Sequence, residues 1–162
     1  MSESCLHKSQ NDIVTPAASR IELPMDAAPN LMKKLENPPS PTPMRILVVD
    51  DQDASRITTK WFLSNFGYAV ESVRSGEEGL EAFDPALHDL VITDNCMPGM
   101  SGTELAQAIK LRSSGTPILM YSGNPPENCP YVDCVVHRPA HLLEVKERAD
   151  GLLANNRPPQ RC

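Results

Sequence analysis

Three carboxylates stand directly after short apolar runs: Asp50 and Asp51 follow residues 46–49, and Asp94 follows Leu90–Thr93. Runs of that length, rich in β-branched residues, suit strands buried on both faces of a parallel sheet. Their ends would bring the three acids together at the C-terminal edge of one sheet, where open α/β sheets keep their sites. Crowded carboxylates repel one another unless a cation neutralises them, and an all-oxygen set with room for water suits Mg²⁺. The chemistry such a cluster offers is metal-assisted handling of a phosphoryl group.

The elements that must position these acids fit a chain of 162 residues, enough for one domain of ordinary size and not two. A net charge of −6 and the lack of any basic stripe speak against a nucleic-acid surface. No apolar stretch approaches the roughly 20 residues of a membrane helix, and the N-terminus lacks an apolar core behind positive charge. A cytoplasmic protein that binds neither nucleic acid nor membrane is the expectation. The five cysteines are odd in number and lack zinc-site spacing, so reduced thiols are expected.

Residues 1–43 are rich in proline and end in a PPSPTP run, which reads as a flexible tail or linker. Within it Leu31, Met32 and Leu35 have helical spacing over a turn or two. Met44 immediately precedes the first strand, which makes it a candidate for an alternative translation start. From Arg45 strands and helices alternate, the pattern of βαβ units and a parallel sheet. The strands are expected at residues 45–49, 68–73, 90–93, 117–121 and 134–136. The helices are expected at 54–66 with Ile57, Trp61 and Phe62 inward, at 75–83 capped by Ser75, at 102–111, and from Pro139 to about residue 153. Residues 44–154 then make the domain, and 155–162 a short C-terminal tail.

These residues carry a resemblance. Residues 45–153, about two thirds of the chain, resemble the receiver domain of two-component response regulators. The resemblance lies in ILVVDDQDASR, in VITDNCMPGMSG, in PILMYSG ending on a small hydroxyl residue, and in the basic residue before proline in VVHRPA. It implies a doubly wound five-stranded parallel sheet, flavodoxin-like or CheY-like. It implies Asp94 as phosphoacceptor, with Mg²⁺ held by Asp94, by Asp50 or Asp51 (Asp51 the more direct ligand), and by the backbone carbonyl of Cys96. Ser122 would hydrogen-bond one phosphoryl oxygen, and Arg138 would supply the cation for another. The implied partners are a histidine kinase or histidine phosphotransfer protein upstream and an unidentified protein target downstream, acted on in trans by a single-domain regulator. Such a protein is not an enzyme in the ordinary sense, although it can take phosphate from small donors and lose it by itself.

Each residue also has a plainer reading. Asp51 or Asp53 could cap the helix near Ala54, but a cap accounts for one acid and not three. Ser122 could begin a turn with Gly123, and Arg138 could be a solvated residue before Pro139. His137 points to the opposite sheet face in a regular strand, and His7, His88 and His141 have no partner that suggests catalysis.

Two departures from the family stand out. Arg138 occupies the place of a lysine, and a planar two-pronged cation is not equivalent to a point charge. Between Ser122 and Arg138 the segment GNPPENCPYVDCVVH carries Pro125, Pro126 and Pro130, so the fourth helix is expected to be missing or vestigial. Val135 also stands where the family has a switch aromatic. Loss of that helix should bare apolar sheet surface, to be covered by the tail's Leu31, Met32 and Leu35, by a second copy in a homodimer, or by a partner. Two alternatives to the phosphorylated receiver follow: a pseudo-receiver binding module not switched by phosphate, and a phosphatase of the haloacid-dehalogenase kind. The latter would use D-x-D-x-S at residues 51–55, with Asp51 as nucleophile and Ser122 as second motif, but VVHRPA lacks the acidic cluster it needs.

Overall fold

The computed structural model describes residues 42–155. Five parallel strands form one sheet: β1 (Arg45–Val49), β2 (Ala69–Val73), β3 (Leu90–Thr93), β4 (Ile118–Ser122) and β5 (Cys134–His137), in the order β2-β1-β3-β4-β5. The helices are α1 (Asp53–Asn65), α2 (Gly76–Ala82), α3 (Gly102–Arg112) and α4 (Leu142–Asn155). None of the described helices is long and apolar enough to cross a membrane.

Alternation along the strands divides the core into two layers. Ile46, Val48, Leu90, Ile92 and Leu119 face one side with Leu63 of α1 and Val145, Ala149 and Leu153 of α4. Leu47, Val49, Val91 and Ile118 face the other with Phe83, Leu105, Ala106 and Ile109. Because both faces are covered, β1 and β3 are apolar at consecutive positions, and a chain of that pattern is stable only in a sheet sandwiched by helices. The starts of α2 and α3 are held by local polar chemistry. Ser75 Oγ accepts from Glu78 N at 3.1 Å. Ser101 and Glu104 form a reciprocal capping box that holds the Glu104 carboxyl below its ordinary range through hydrogen bonds from the Ser101 side chain and then its backbone.

Three expectations need correction. In α1 the buried residues are Thr59 and Leu63, while Ile57 and Trp61 are 62% and 67% exposed. Both lie two residues from Thr59, about 200° round the helix, so the spacing that pairs them with each other turns them away from the sheet. Of the three residues expected inward, only Phe62 packs against the core. The last helix begins at Leu142 rather than Pro139. The chain first turns through Pro139 and Ala140, where the Ala140 carbonyl accepts from the Tyr121 hydroxyl at 3.1 Å.

The third correction concerns the missing helix. No helix lies between β4 and β5, as the prolines dictate, yet the sheet beneath is not bare: Ile118 and Met120 are fully buried. Tyr131 and Val132 of the connecting segment pack onto that layer themselves. Asp133 anchors them, its Oδ2 accepting from Ile118 N at 2.7 Å and from Lys110 Nζ at 2.8 Å, and its N–H donating to Ile118 O at 2.9 Å. The suggested cover from Leu31, Met32 and Leu35 falls outside the described residues.

His88, for which the sequence suggests no catalytic partner, is a satisfied core residue. Its Nδ1 accepts from Asp84 N at 3.2 Å, which leaves Nε2 to donate to Glu71 Oε2 at 3.3 Å.

Candidate functional site: an acidic pocket at the sheet edge

Strand register assembles the pocket. Val49 of β1 lies beside Thr93 of β3, and Asp94 N donates to Val49 O at 2.9 Å, so the next residues, Asp50 and Asp94, emerge side by side. Both are 3% exposed. One ligand atom from each of Asp50, Asp51 and Asp94 lies within 4.8 Å of the other two. Asp51 is not the helix cap its position would allow: the N-cap of α1 is Gln52, which makes no side-chain cap bond. Asp51 Oδ1 is instead buried without a hydrogen-bond partner.

The carboxylate oxygens of Asp50 and Asp94 are supplied with donors. Asp94 Oδ1 accepts from Asn95 N at 2.6 Å and Cys96 N at 3.3 Å. Asp50 Oδ1 accepts from Gln52 N at 2.8 Å, and its Oδ2 from Ser55 Oγ at 2.7 Å. Arg56 Nη1 donates to Asp50 O at 2.9 Å and its Nη2 to Asp53. Ser55 and Arg56 were not anticipated from sequence. Their signal is their place in the first turn of the helix that follows the acid pair, the reach at which a side chain can turn back on the strand end.

Arg138 enters from the end of β5, two strands away from Asp94. Its Nη2 donates to Asp50 Oδ2, its Nη1 lies 3.3 Å from Asp94 Oδ2, and its Cζ sits 4.4 Å above the centre of the Tyr121 ring. Ser122, fully buried at the end of β4, stands between the Asp94 and Arg138 strand ends, its Oγ accepting from Asn124 N at 3.3 Å. Arg138 N donates to Ser122 O at 2.9 Å, which ties these two strand ends together. Cys96 is exposed and touches the pocket through its N–H. His137 and His141 are exposed, and neither belongs to the pocket.

The loop after Asp94 is shaped by close approach. A Cβ on Gly102 would lie 2.1 Å from the Asp94 carbonyl oxygen, so only glycine lets α3 begin against the strand end. Gly99 has φ +77°, and a Cβ there would meet Glu77 Oε1 at 2.4 Å. Glu77 Oε1 accepts from Met100 N at 2.7 Å, and its carboxyl is lowered by backbone N–H groups, its own first and then that of Met100.

The donor set suits a small hard cation. Three carboxylates converge and one buried oxygen lacks any partner, a deficit that an oxygen-seeking Mg²⁺ would fill.

Comparison with known proteins agrees with this geometry. Residues 46–133 match the family model described as the response regulator receiver domain. The chain is 31% identical over 81 residues to the cell cycle transcriptional regulator CtrA of Caulobacter vibrioides, a match covering 50% of this chain and 35% of that one. It is 36% identical over 87 residues to the autoinducer 1 sensor kinase/phosphatase LuxN of Vibrio campbellii, covering 54% of this chain and 10% of that protein. The chain thus spans a minor part of these relatives' length. Among solved structures, a CheY-like response regulator receiver domain protein from Methanospirillum hungatei superposes with a TM-score of 0.67 at 28% identity, covering 71% of this chain and 97% of that one. The response regulator TrrA from Thermotoga maritima, in complex with Mg²⁺-BeF, superposes with a TM-score of 0.63 at 33% identity, covering 67% and 98%. The matched segment holds the acid pair, Asp94 and the glycine-shaped loop behind it, and by that match and this fold the chain belongs to the receiver domains of two-component response regulators.

Proposed function

We propose that Asp94 is the phosphoacceptor of a single-domain response regulator that acts on a partner protein in trans, with residues 44–154 as the receiver and 1–43 and 155–162 as tails. The observation that carries this reading is the convergence of Asp50, Asp51 and Asp94 within 4.8 Å inside the segment the family model matches. Asp51 chiefly, with Asp50, Asp94 and the Cys96 carbonyl, would hold Mg²⁺. When bound, the ion neutralises charge on the transferring phosphoryl oxygens. An Asp94 carboxylate oxygen attacks phosphorus, the bond from phosphorus to the donor's imidazole nitrogen breaks, and the imidazole leaves with the electron pair and takes up a proton. Ser122 and Arg138 would each engage a phosphoryl oxygen of the resulting acyl phosphate. The donor on this reading is a histidine kinase or histidine phosphotransfer protein.

The test is intact-mass measurement after incubation with acetyl phosphate and Mg²⁺. One phosphoryl increment in the wild type, absent in Asp94→Asn, is the expected result. A second reading, the pseudo-receiver, draws on the bridging of Asp50 and Asp94 by Arg138 and predicts no increment in either protein. The phosphatase alternative requires covalent phosphate at Asp51 instead, and Asp51→Asn in the same assay separates it.

A further inference from the structure

We infer that Arg138 is an internal competitor of the divalent cation: its guanidinium bridges Asp50 and Asp94, and the cation takes Oδ2 of Asp94 only by displacing it. The inference rests on the metal reading above and adds what sets the site's metal affinity.

A census of the pocket's oxygens leads to it. Asp94 Oδ1 is engaged by two backbone N–H groups and Asp50 Oδ1 by one. The remaining oxygen of each, Oδ2, is the one that Arg138 takes, on Asp50 together with Ser55 Oγ and on Asp94 alone. Asp51 Oδ1 alone is buried without a donor. A cation entering there finds one unclaimed carboxylate; of the oxygens it could add, Asp50 Oδ2 is held by Ser55 Oγ as well as by Arg138, whereas Asp94 Oδ2 has Arg138 as its one donor among the described residues. The backbone donors are parts of the fold, whereas the arginine is a side chain that can swing, so Arg138 yields.

The competing position is well held. The guanidinium rests on the Tyr121 ring, 4.4 Å from its centre, and Tyr121 is 8% exposed with its hydroxyl bonded to Ala140 O. The fork also matters. A guanidinium presents two prongs to acids on two strands, while an ammonium is a single point charge and holds one acid well. A lysine at this position would therefore keep the charge and surrender most of the bridge.

That difference separates direct competition from a general field effect, which would weaken Mg²⁺ binding equally for arginine and lysine. The experiment is calorimetric titration of the full chain with Mg²⁺ alone, in the wild type and in Arg138→Lys, Arg138→Gln and Asp51→Asn. In parallel, the Arg138 side-chain N–H resonances of the wild type are followed by NMR. Arg138→Gln is expected to bind Mg²⁺ about tenfold tighter, the scale of one charge-assisted contact no longer broken, and Arg138→Lys also tighter by a smaller factor. The wild-type Arg138 resonances are expected to shift saturably along the same binding curve. Equal affinity in wild type and Arg138→Lys, or Arg138 resonances indifferent to saturating Mg²⁺, overturns the inference while the metal reading stands. Absence of Asp51-dependent Mg²⁺ binding in every protein overturns both.

Discussion

Two regions of the sheet are built in opposite ways, the C-terminal edge at β1 and β3 and the connection from β4 to β5, which is anchored at the start of β4. At the β1–β3 end each functional group is placed by its immediate neighbours in the chain. Asp50 is gripped by Gln52, Ser55 and Arg56, and Asp94 by Asn95 and Cys96. At the β4–β5 end the connecting segment has no helix, and partners far away in sequence hold it: Asp133 by Lys110 and Ile118, and Tyr131 by Gln107 at 3.4 Å. The first region tolerates little because its carboxylates are held by groups only a few residues away and Gly102 lies directly against the Asp94 carbonyl. In the second a few side-chain anchors hold the segment that takes the place of a helix.

The largest effect expected from breaking this contrast is at Gly102. Gly102→Ala drives a Cβ into the Asp94 carbonyl and should cost about 3 kcal/mol or more, because strand and helix start must separate. Urea denaturation would measure it, and a loss below about 1 kcal/mol would mean that the front is as adaptable as the rear.

Next in size is Asp133→Ala, which leaves the Ile118 N–H without its acceptor and takes the carboxylate from Lys110, whose ammonium keeps the Thr116 carbonyl. A cost of about 2 kcal/mol is expected, with faster hydrogen exchange across residues 123–133. If exchange there does not change, Asp133 is not the anchor that stands in for the helix.

A smaller effect is expected from pH. The Glu104 carboxyl titrates below its ordinary 4.5 in the folded chain, so the capping box stabilises fully above that value and less as pH falls through the folded one. Stability of the wild type should therefore decline with acid more steeply than that of Glu104→Gln, as thermal melts at several acidic pH values would show. Parallel curves would remove the capping box from the account of how α3 is set against the front.

The smallest effects are expected at residues that only look like core. Trp61→Ala on the outer face of α1 and Val135→Ala on β5 should each change stability by no more than about 0.5 kcal/mol. A cost of several times that for Val135→Ala would show that the rear is covered by more than Tyr131 and Val132.

Much of this was legible in the chain before folding. Consecutive apolar residues ending in acids marked β1 and β3, Ser75 lies where a helix start needs an acceptor, and three prolines ruled out a helix between β4 and β5. The failures were equally specific. Ile57 and Trp61 have helical spacing, but so do Thr59 and Leu63, and only docking against the sheet chooses between the stripes. Pro139 is a good first-turn residue, yet the turn that carries Arg138 to the pocket delays the helix to Leu142.

The sequence by itself determined the strand order's raw material and the acids at two strand ends, because these depend on side-chain period and on local chemistry within a few residues. Tertiary structure decided where Arg138 goes. A residue 88 positions from Asp50 and 44 from Asp94 meets both only because parallel register brings three strand ends to one edge, and Tyr121, one residue before Ser122, supplies the surface it rests on. No local pattern encodes that bridge; it follows from long-range packing of strands whose order in the sheet differs from their order in the chain.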